Sequence, residues 1–311
     1  MSGARVRAVT VDEPDHHGSW VPDVDARIAG LEAPVRGLLE PTLESFSSAD
    51  RITLVPDVHY PFHPSSGMIT DPAVIGTIVG HLERCTDADV AVAGASTDRM
   101  SFDRTAAYLG YTDVLEGFEA DLVDLADEPH TEHVQPVDGR SVSLTVPNRL
   151  DEDTVIVVPS LRPTENGTVA GAMRTLASLV LDAADADRVP VAVTRLVEPE
   201  TAVVDATTVY GGEPAAANTL FSGAVSAVDA VASSLLGRSP ADDGALETVR
   251  GDEAEPITVE GTGIDFDRLR ARIPDGDLPP ADETHPAVST AYRMYATVAG
   301  DAVPPQLEGG R

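Results

Sequence analysis

The run TVIVVP, residues 154–159, decides the fold class of this chain. After Thr154 it is continuously apolar, without the polar alternation of a strand that has one face in water. Such a run is typical of a strand that is covered on both faces, as in a parallel sheet whose crossover helices pack on either side. We therefore expect a parallel sheet at the centre of the molecule.

Short apolar strands alternate with helical patterns on both sides of this run. Strands are expected at residues 5–11, 52–56, 89–93, 120–125, 141–146, 190–194, 202–205 and 256–260. Helices are expected at about 25–46, 71–84, 102–109, 169–184, 223–236, 265–273 and 287–298. The alternation predicts an α/β fold: a mostly parallel, doubly wound sheet with helices on both faces.

The same pattern suggests three segments. Residues 1–50 are expected to form an N-terminal extension, a strand plus a helix that packs on the core, and residues 51–273 the α/β core domain. Residues 274–311 are expected to supply a linker, a C-terminal helix and a tail.

The charged residues of the chain exclude several classes of function. It has 52 Asp and Glu against 21 basic residues, a net charge of −31, and every basic residue is Arg. Without Lys there is no Schiff base, no pyridoxal-phosphate lysine and no Walker lysine. A polyanionic nucleic acid would be repelled, so no nucleic-acid partner is expected. The acidic, lysine-free composition resembles that of proteins from salt-accumulating archaea, and we expect a halophilic protein.

Cys85 is the single cysteine, so the chain can form no internal disulfide and no cysteine-ligated iron–sulfur cluster of its own. Its first residues contain no apolar signal core, and no run reaches the length of a membrane span. We expect a cytoplasmic protein with no membrane partner.

Four loops that follow predicted strands carry polar residues, at 56–72, 94–105, 159–174 and 204–214. Ligands of open α/β sheets bind outside the carboxyl ends of the strands. In the first loop Asp57, His59 and His63 could bind a divalent metal, but a polar loop with partly buried histidines is the favoured interpretation. Ser96 and Thr97 follow a strand and precede a helix, as in a phosphate-binding turn, but G-x-G-x-x-G is absent.

The third loop predicts an anion site. Arg162 and Arg174 flank a helix entry that contains Thr164 and Thr168, and guanidinium groups with helix amides suit a carboxylate or a phosphate. The alternative is that both arginines pair with acidic side chains of the protein itself. In the fourth loop, Asp205 could act as a base, a metal ligand or a loop anchor.

Five short motifs, in order, resemble the domain of unknown function 362 family. They are Thr70-Asp71-Pro72, Thr168 with Gly171, Val204-Asp205-Ala206, the Gly211-Gly212-x-Pro214 that follows it, and Ala227-Val228-Asp229-Ala230. The resemblance covers roughly residues 50–265 and implies the α/β fold and a site at the strand-end loops, including Asp57, Asp205, Gly211 and Gly212.

The chain also departs from the family pattern. Asp57 replaces an Asn, Arg162-Pro163-Thr164 replaces Lys-Thr-His, Arg174-Thr175 replaces Lys-Asn, and Ala224-Val225 replaces Asp-Pro. Many relatives carry a ferredoxin-like iron–sulfur segment, which one cysteine cannot provide.

Together these features suggest an enzyme-like binder of a small anionic metabolite, with or without a metal. Asp57 and Asp205 are then the candidate catalytic groups, and whether the chain catalyses a reaction is left open. The alternative is a non-catalytic ligand-binding protein, or a redox partner that docks beside a separate ferredoxin-like protein.

Overall fold

The computed structural model describes residues 4–12, 24–58, 62, 64–97, 100–181, 185–251, 256–261 and 264–278. Within them the strands are β1 Arg5–Thr10, β2 Arg51–Pro56, β3 Asp89–Gly94, β4 Asp121–Asp124, β5 His130–Val137, β6 Arg140–Pro147, β7 Thr154–Val158, β8 Thr201–Tyr210, β9 Pro214–Gly223 and β10 Thr258–Glu260. The helices are α1 Val24–Leu39, α2 Leu43–Ser47, α3 Pro72–Cys85, α4 Phe102–Leu109, α5 Tyr111–Leu115, α6 Asn148–Glu152, α7 Gly171–Ala177, α8 Arg188–Val197, α9 Val225–Leu235, α10 Gly244–Arg250 and α11 Phe266–Arg270.

One eight-stranded sheet organises the described part of the chain, in the order β10-β1-β9-β8-β7-β2-β3-β4. Five of its neighbouring pairs are parallel, and the two that involve β9 are antiparallel. β5 and β6 form a separate antiparallel hairpin. The predicted fold class, a mostly parallel α/β sheet, is confirmed.

The central strand β7 is covered on both faces, as its sequence predicts. Val155 and Val157 belong to one buried cluster, which includes residues of α7, α8, α9 and α10. Ile156 and Val158 belong to a second cluster, with α1, α3, α4 and α5. Because successive side chains of a strand point to opposite faces, the two clusters lie on opposite sides of the sheet. The sheet is therefore doubly wound.

The strand expected at residues 190–194 is wrong, because this stretch lies inside helix α8. Its valines favour a strand by propensity, but propensity is a weak preference that tertiary packing overrides. The parallel strands β7 and β8 need a crossover, and α7 and α8 together form it. Val189 and Val193 of α8 are buried one helical turn apart.

The strand expected at residues 202–205 is longer than predicted. β8 continues to Tyr210 and turns back into β9, a strand that the sequence reasoning missed. Much of the expected fourth loop is therefore a hairpin that adds antiparallel pairing to the sheet.

The helix expected at 169–184 is also shorter in the structure. After α7 the chain turns, and the Leu181 amide donates to the Thr145 carbonyl of β6 at 3.1 Å.

Three expectations fall on residues outside the described ranges: His59, His63 and the C-terminal helix. In the part of the chain that is described, no helix has the length and apolar character needed to cross a bilayer.

Candidate functional site

Buried polar residues meet where β2 and β7 end beside β8. Asp57 directly follows β2, Ser160 follows β7, and Asp205 lies within β8 at the level of Ser160, with which it forms an isolated bridge. Asp205 is thus in the middle of a long strand rather than at its end. It still lies at the carboxyl edge of the parallel strands, which is where such folds place their ligands.

Asp57 and Arg162 form a bidentate ion pair. Nε of Arg162 donates to Oδ2 of Asp57 at 2.8 Å and Nη2 donates to Oδ1 at 3.1 Å, while the Ser160 hydroxyl donates to Oδ2 at 3.0 Å. The Asp57 side chain is 1% exposed and the Arg162 side chain 13%. A paired, planar contact of this kind fixes the plane and direction of the guanidinium group.

Asp205 is an acceptor in a second buried network. Its Oδ1 accepts from the amide and the hydroxyl of Thr207, and its Oδ2 accepts from the Asp71 amide at 2.8 Å. Burial, followed by the nearby charge of Asp71, raises the pKa of Asp205 to about 6. The Asp71 carboxylate pairs with Arg27 and caps the start of α3, so this network anchors the loop that enters α3.

Arg174 is held by Asp243, a residue that the sequence reasoning missed. Nη1 and Nη2 of Arg174 donate to the two Asp243 carboxylate oxygens at 2.9 and 3.0 Å, and Nε donates to the Asn166 carbonyl. The same carboxylate accepts from the amide and the hydroxyl of Thr168. Burial opposes its ionisation, but the bonds from Arg174 and Thr168 outweigh burial and lower the pKa of Asp243. One sequence signal for Asp243 exists, since Asp directly before a helical stretch is a preferred N-cap.

The first backbone amides of α7 also donate to a carboxylate of the protein itself. Asp229 of α9 accepts from the amides of Ala172 and Met173 at 2.7 and 2.9 Å. Asp229 therefore caps a helix other than its own. Burial raises its pKa to about 7 although these amide bonds act in the opposite direction.

A cleft of about 590 Å³ lies between the β7–α7 loop and α8. Its lining includes Arg162, Thr164 and Arg174, three of the residues predicted to bind a ligand, together with Ser178 and Asp185. The structure therefore brings these three residues to one concave surface. Thr168 lies behind it and bonds to Asp243.

The other candidates lie away from this cleft. The Ser96 hydroxyl pairs with Asp124 and accepts from the amide of Phe102, and Thr97 forms a turn with Met100. Gly211 and Gly212 form the β8–β9 turn. A Cβ atom on Gly211 would lie 2.2 Å from the Pro274 carbonyl oxygen, so this turn packs tightly on the chain after α11. His59 and His63 lie outside the described residues, and the described residues contain no cluster of three metal-binding side chains.

Comparisons with known proteins identify the family. A Thermotoga maritima protein of known crystal structure is 10% identical, with a TM-score of 0.37; the match covers 62% of this chain and 51% of that protein, so this chain spans about half of its length. No curated protein matches the sequence. The family model "Domain of unknown function (DUF362)" matches residues 52–234, more than half of the chain and most of the central sheet. The chain belongs to the DUF362 family.

Proposed function

We propose that this chain binds a small anionic metabolite, a carboxylate or a phosphate, in the cleft lined by Arg162, Thr164 and Arg174. One observation carries the proposal. Asp57 holds Arg162 through Nε and Nη2, whereas Nη1 donates to no acceptor among the described residues, and Arg162 lines the cleft. A guanidinium group fixed from behind, with donors left over, is suited to binding an anion.

The electrostatic balance limits how strongly the anion would bind. Asp57 and Asp243 neutralise the two arginines, so the cleft offers oriented hydrogen-bond donors rather than a net positive charge. The charge of −31 adds a long-range repulsion that salt screens. We therefore expect moderate affinity, with selectivity set by the direction of the donors.

Asp57 fits a positioning role in this proposal, since it already accepts from Arg162 and Ser160. Catalysis by Asp57 or Asp205, and assistance by a metal at His59 and His63, stay predictions from the sequence. So does the cytoplasmic location.

The test uses Ser178, an exposed residue that lines the cleft and takes no part in the Arg–Asp pairs. Ser178→Glu would place a negative charge in the cleft, and Ser178→Gln adds similar bulk without the charge. Thermal unfolding is followed while inorganic phosphate or citrate is added at constant ionic strength.

The wild type and Ser178→Gln should unfold at rising temperatures as the anion is added, and Ser178→Glu should respond much less. Phosphate and citrate also stabilise proteins by exclusion from their surface, and that effect would be equal in all three proteins. Equal responses of Ser178→Glu and Ser178→Gln would refute binding in this cleft.

A further inference from the structure

The cleft of the proposed anion site has two walls of different chemistry. One wall is the β7–α7 loop, which supplies the polar residues Arg162, Thr164 and Asn166. The other wall is formed by the end of α7, the turn after it and the start of α8. The apolar residues that this second wall contributes to the lining are Ala177, Val180, Ala186, Val189 and Pro190. A ligand in this cleft would therefore contact polar groups on one side and hydrocarbon on the other.

The polar wall offers free donors at one guanidinium group rather than two. Nε and Nη2 of Arg162 donate to Asp57, and Nη1 donates to no acceptor among the described residues. Arg174 uses all three of its side-chain nitrogens, since Nε donates to the Asn166 carbonyl and both Nη atoms donate to Asp243. A ligand therefore meets one cation with donors left over, which suits a single carboxylate.

A second negative group on the ligand would meet an unfavourable charge in the cleft. Asp185 lies in the lining just before α8, and its side chain is 42% exposed. The Arg188 amide and guanidinium, and then the Asp187 amide, donate to it and lower its pKa, so it is ionised at neutral pH. An ionised carboxylate in the lining disfavours a second carboxylate on a bound ligand. The lining thus favours a ligand with one charged end and an uncharged body.

We propose that the ligand of this cleft is a monocarboxylate with a short hydrocarbon chain, its carboxylate on Nη1 of Arg162 and its chain along Val180 and Val189. This rests on anion binding in the cleft, as proposed above, and names the class of ligand. Small-molecule sites commonly combine an apolar lining with a few oriented polar groups. A phosphate would satisfy the arginine but would leave the apolar wall uncovered. A chain that lies on one wall loses only part of its contact with water, so each methylene should strengthen binding about twofold.

A series of carboxylates tests the proposal on the full-length chain. Acetate, butanoate and hexanoate are added at constant ionic strength, and the dissociation constants follow from the rise in the unfolding temperature. Adipate is the matched control ligand, because it has six carbons like hexanoate but a second carboxylate. The response of Ser178→Glu, with a negative charge in the cleft, is subtracted to remove effects elsewhere on the protein. We expect hexanoate to bind at least tenfold tighter than acetate, and adipate to bind no tighter than acetate.

Two variants locate the hydrocarbon chain. Val180→Thr puts a hydroxyl on the apolar wall with little change in size, and Val249→Thr makes the same change in α10, outside the cleft lining. Val180→Thr should reduce the advantage of hexanoate over acetate to threefold or less and leave acetate binding nearly unchanged. Val249→Thr should keep the full advantage. A loss in both variants, or in neither, would overturn the placement of the chain along Val180.

The outcomes separate this inference from the proposed function. Equal affinities of acetate and hexanoate in the wild type, with phosphate still bound in the cleft, would overturn the inference and leave anion binding in place. Adipate that binds as tightly as hexanoate would overturn it in the same way. If the wild type and Ser178→Glu respond equally to phosphate and to every carboxylate, the proposed function itself fails, and this inference fails with it.

Discussion

Gly171 and Asp229 occupy the same small space from two different helices. A Cβ atom on Gly171 would lie 2.6 Å from Cγ of Asp229, and Gly171 has a φ of +56°. That angle lies in the left-handed region, which other residues adopt at a cost. The glycine therefore both permits the turn into α7 and leaves room for the carboxylate that caps it.

Replacing Gly171 with Ala should destabilise the protein by about 3 kcal/mol. The added Cβ would strain the backbone and displace Asp229 from the amides of Ala172 and Met173. Urea unfolding measures the change. Gly30→Ala is the control, because Gly30 is exposed in α1 and a Cβ there meets nothing within 4 Å. It should be neutral or stabilise by up to about 1 kcal/mol. Equal losses in the two variants would contradict this account.

Asp243→Asn should cost about 3–5 kcal/mol of unfolding free energy. The substitution leaves the buried guanidinium of Arg174 without a negative partner, and breaking one side of a buried ion pair costs about that much. Glu152→Gln is the comparison, since Glu152 pairs with Arg51 where both side chains are about half exposed. Exposed pairs contribute roughly 0–1 kcal/mol. A small effect of Asp243→Asn in urea unfolding would show that the Arg174 network is dispensable.

The comparison of α8 with β7 shows how far sequence reasoning reaches. β7 is predicted correctly because burial on both faces leaves a direct mark, an unbroken apolar run. α8 is rich in the same β-branched residues, whose propensity favours a strand. Its local helical signal is the i, i+4, i+8 spacing of Val189, Val193 and Val197, which are buried on one face, and this spacing is easily overlooked in a run of valines.

The candidate site divides in the same way. Arg162 and Arg174 could be predicted as anion-binding residues because they flank one loop. Their partners Asp57 and Asp243 lie 105 and 69 residues away in sequence, so only the folded chain shows that they pair with these arginines. The sequence left open whether the two arginines bind an anion or pair with acidic side chains of the protein itself. In the structure both arginines pair with an internal aspartate, and both also line the cleft.

Stability should fall as the pH rises from about 5 to 8. Burial raises the pKa of Asp205 to about 6 and that of Asp229 to about 7. In the unfolded chain both carboxyls titrate near 4, so in this range the folded protein holds more protons than the unfolded one. Each group then contributes stability that is full below pH 4 and is lost as the pH passes its folded value, on the order of 3 kcal/mol. The pKa of Asp243 is lowered, so its contribution is lost instead as the pH falls below about 4.

Urea unfolding at pH 5, 6, 7 and 8 in high salt measures this slope. Asp229→Asn removes one titrating group, so the variant should show a shallower decline even though it is less stable overall. A decline as steep as that of the wild type would show that Asp229 does not titrate in this range.

Salt should stabilise the protein, and mainly by acting on its surface. The net charge of −31 repels itself in dilute buffer, and the screening length falls from about 10 Å at 0.1 M to about 3 Å at 1 M. The midpoint of thermal unfolding should therefore rise between 0.1 and 2 M NaCl. Sucrose is the non-ionic control, because it stabilises by exclusion without screening charge.

The buried pair Arg174–Asp243 makes it possible to test whether salt stabilises the protein by screening surface charges or by acting on buried ion pairs. Its side chains are 10% and 0% exposed, so salt screens it little. The loss caused by Asp243→Asn should therefore be nearly the same at 0.1 and 2 M NaCl, while the wild-type midpoint rises. A destabilisation by Asp243→Asn that shrinks as the wild-type midpoint rises would contradict this. Salt would then act on the buried Arg174–Asp243 network, and surface repulsion would not be the cause of the salt effect.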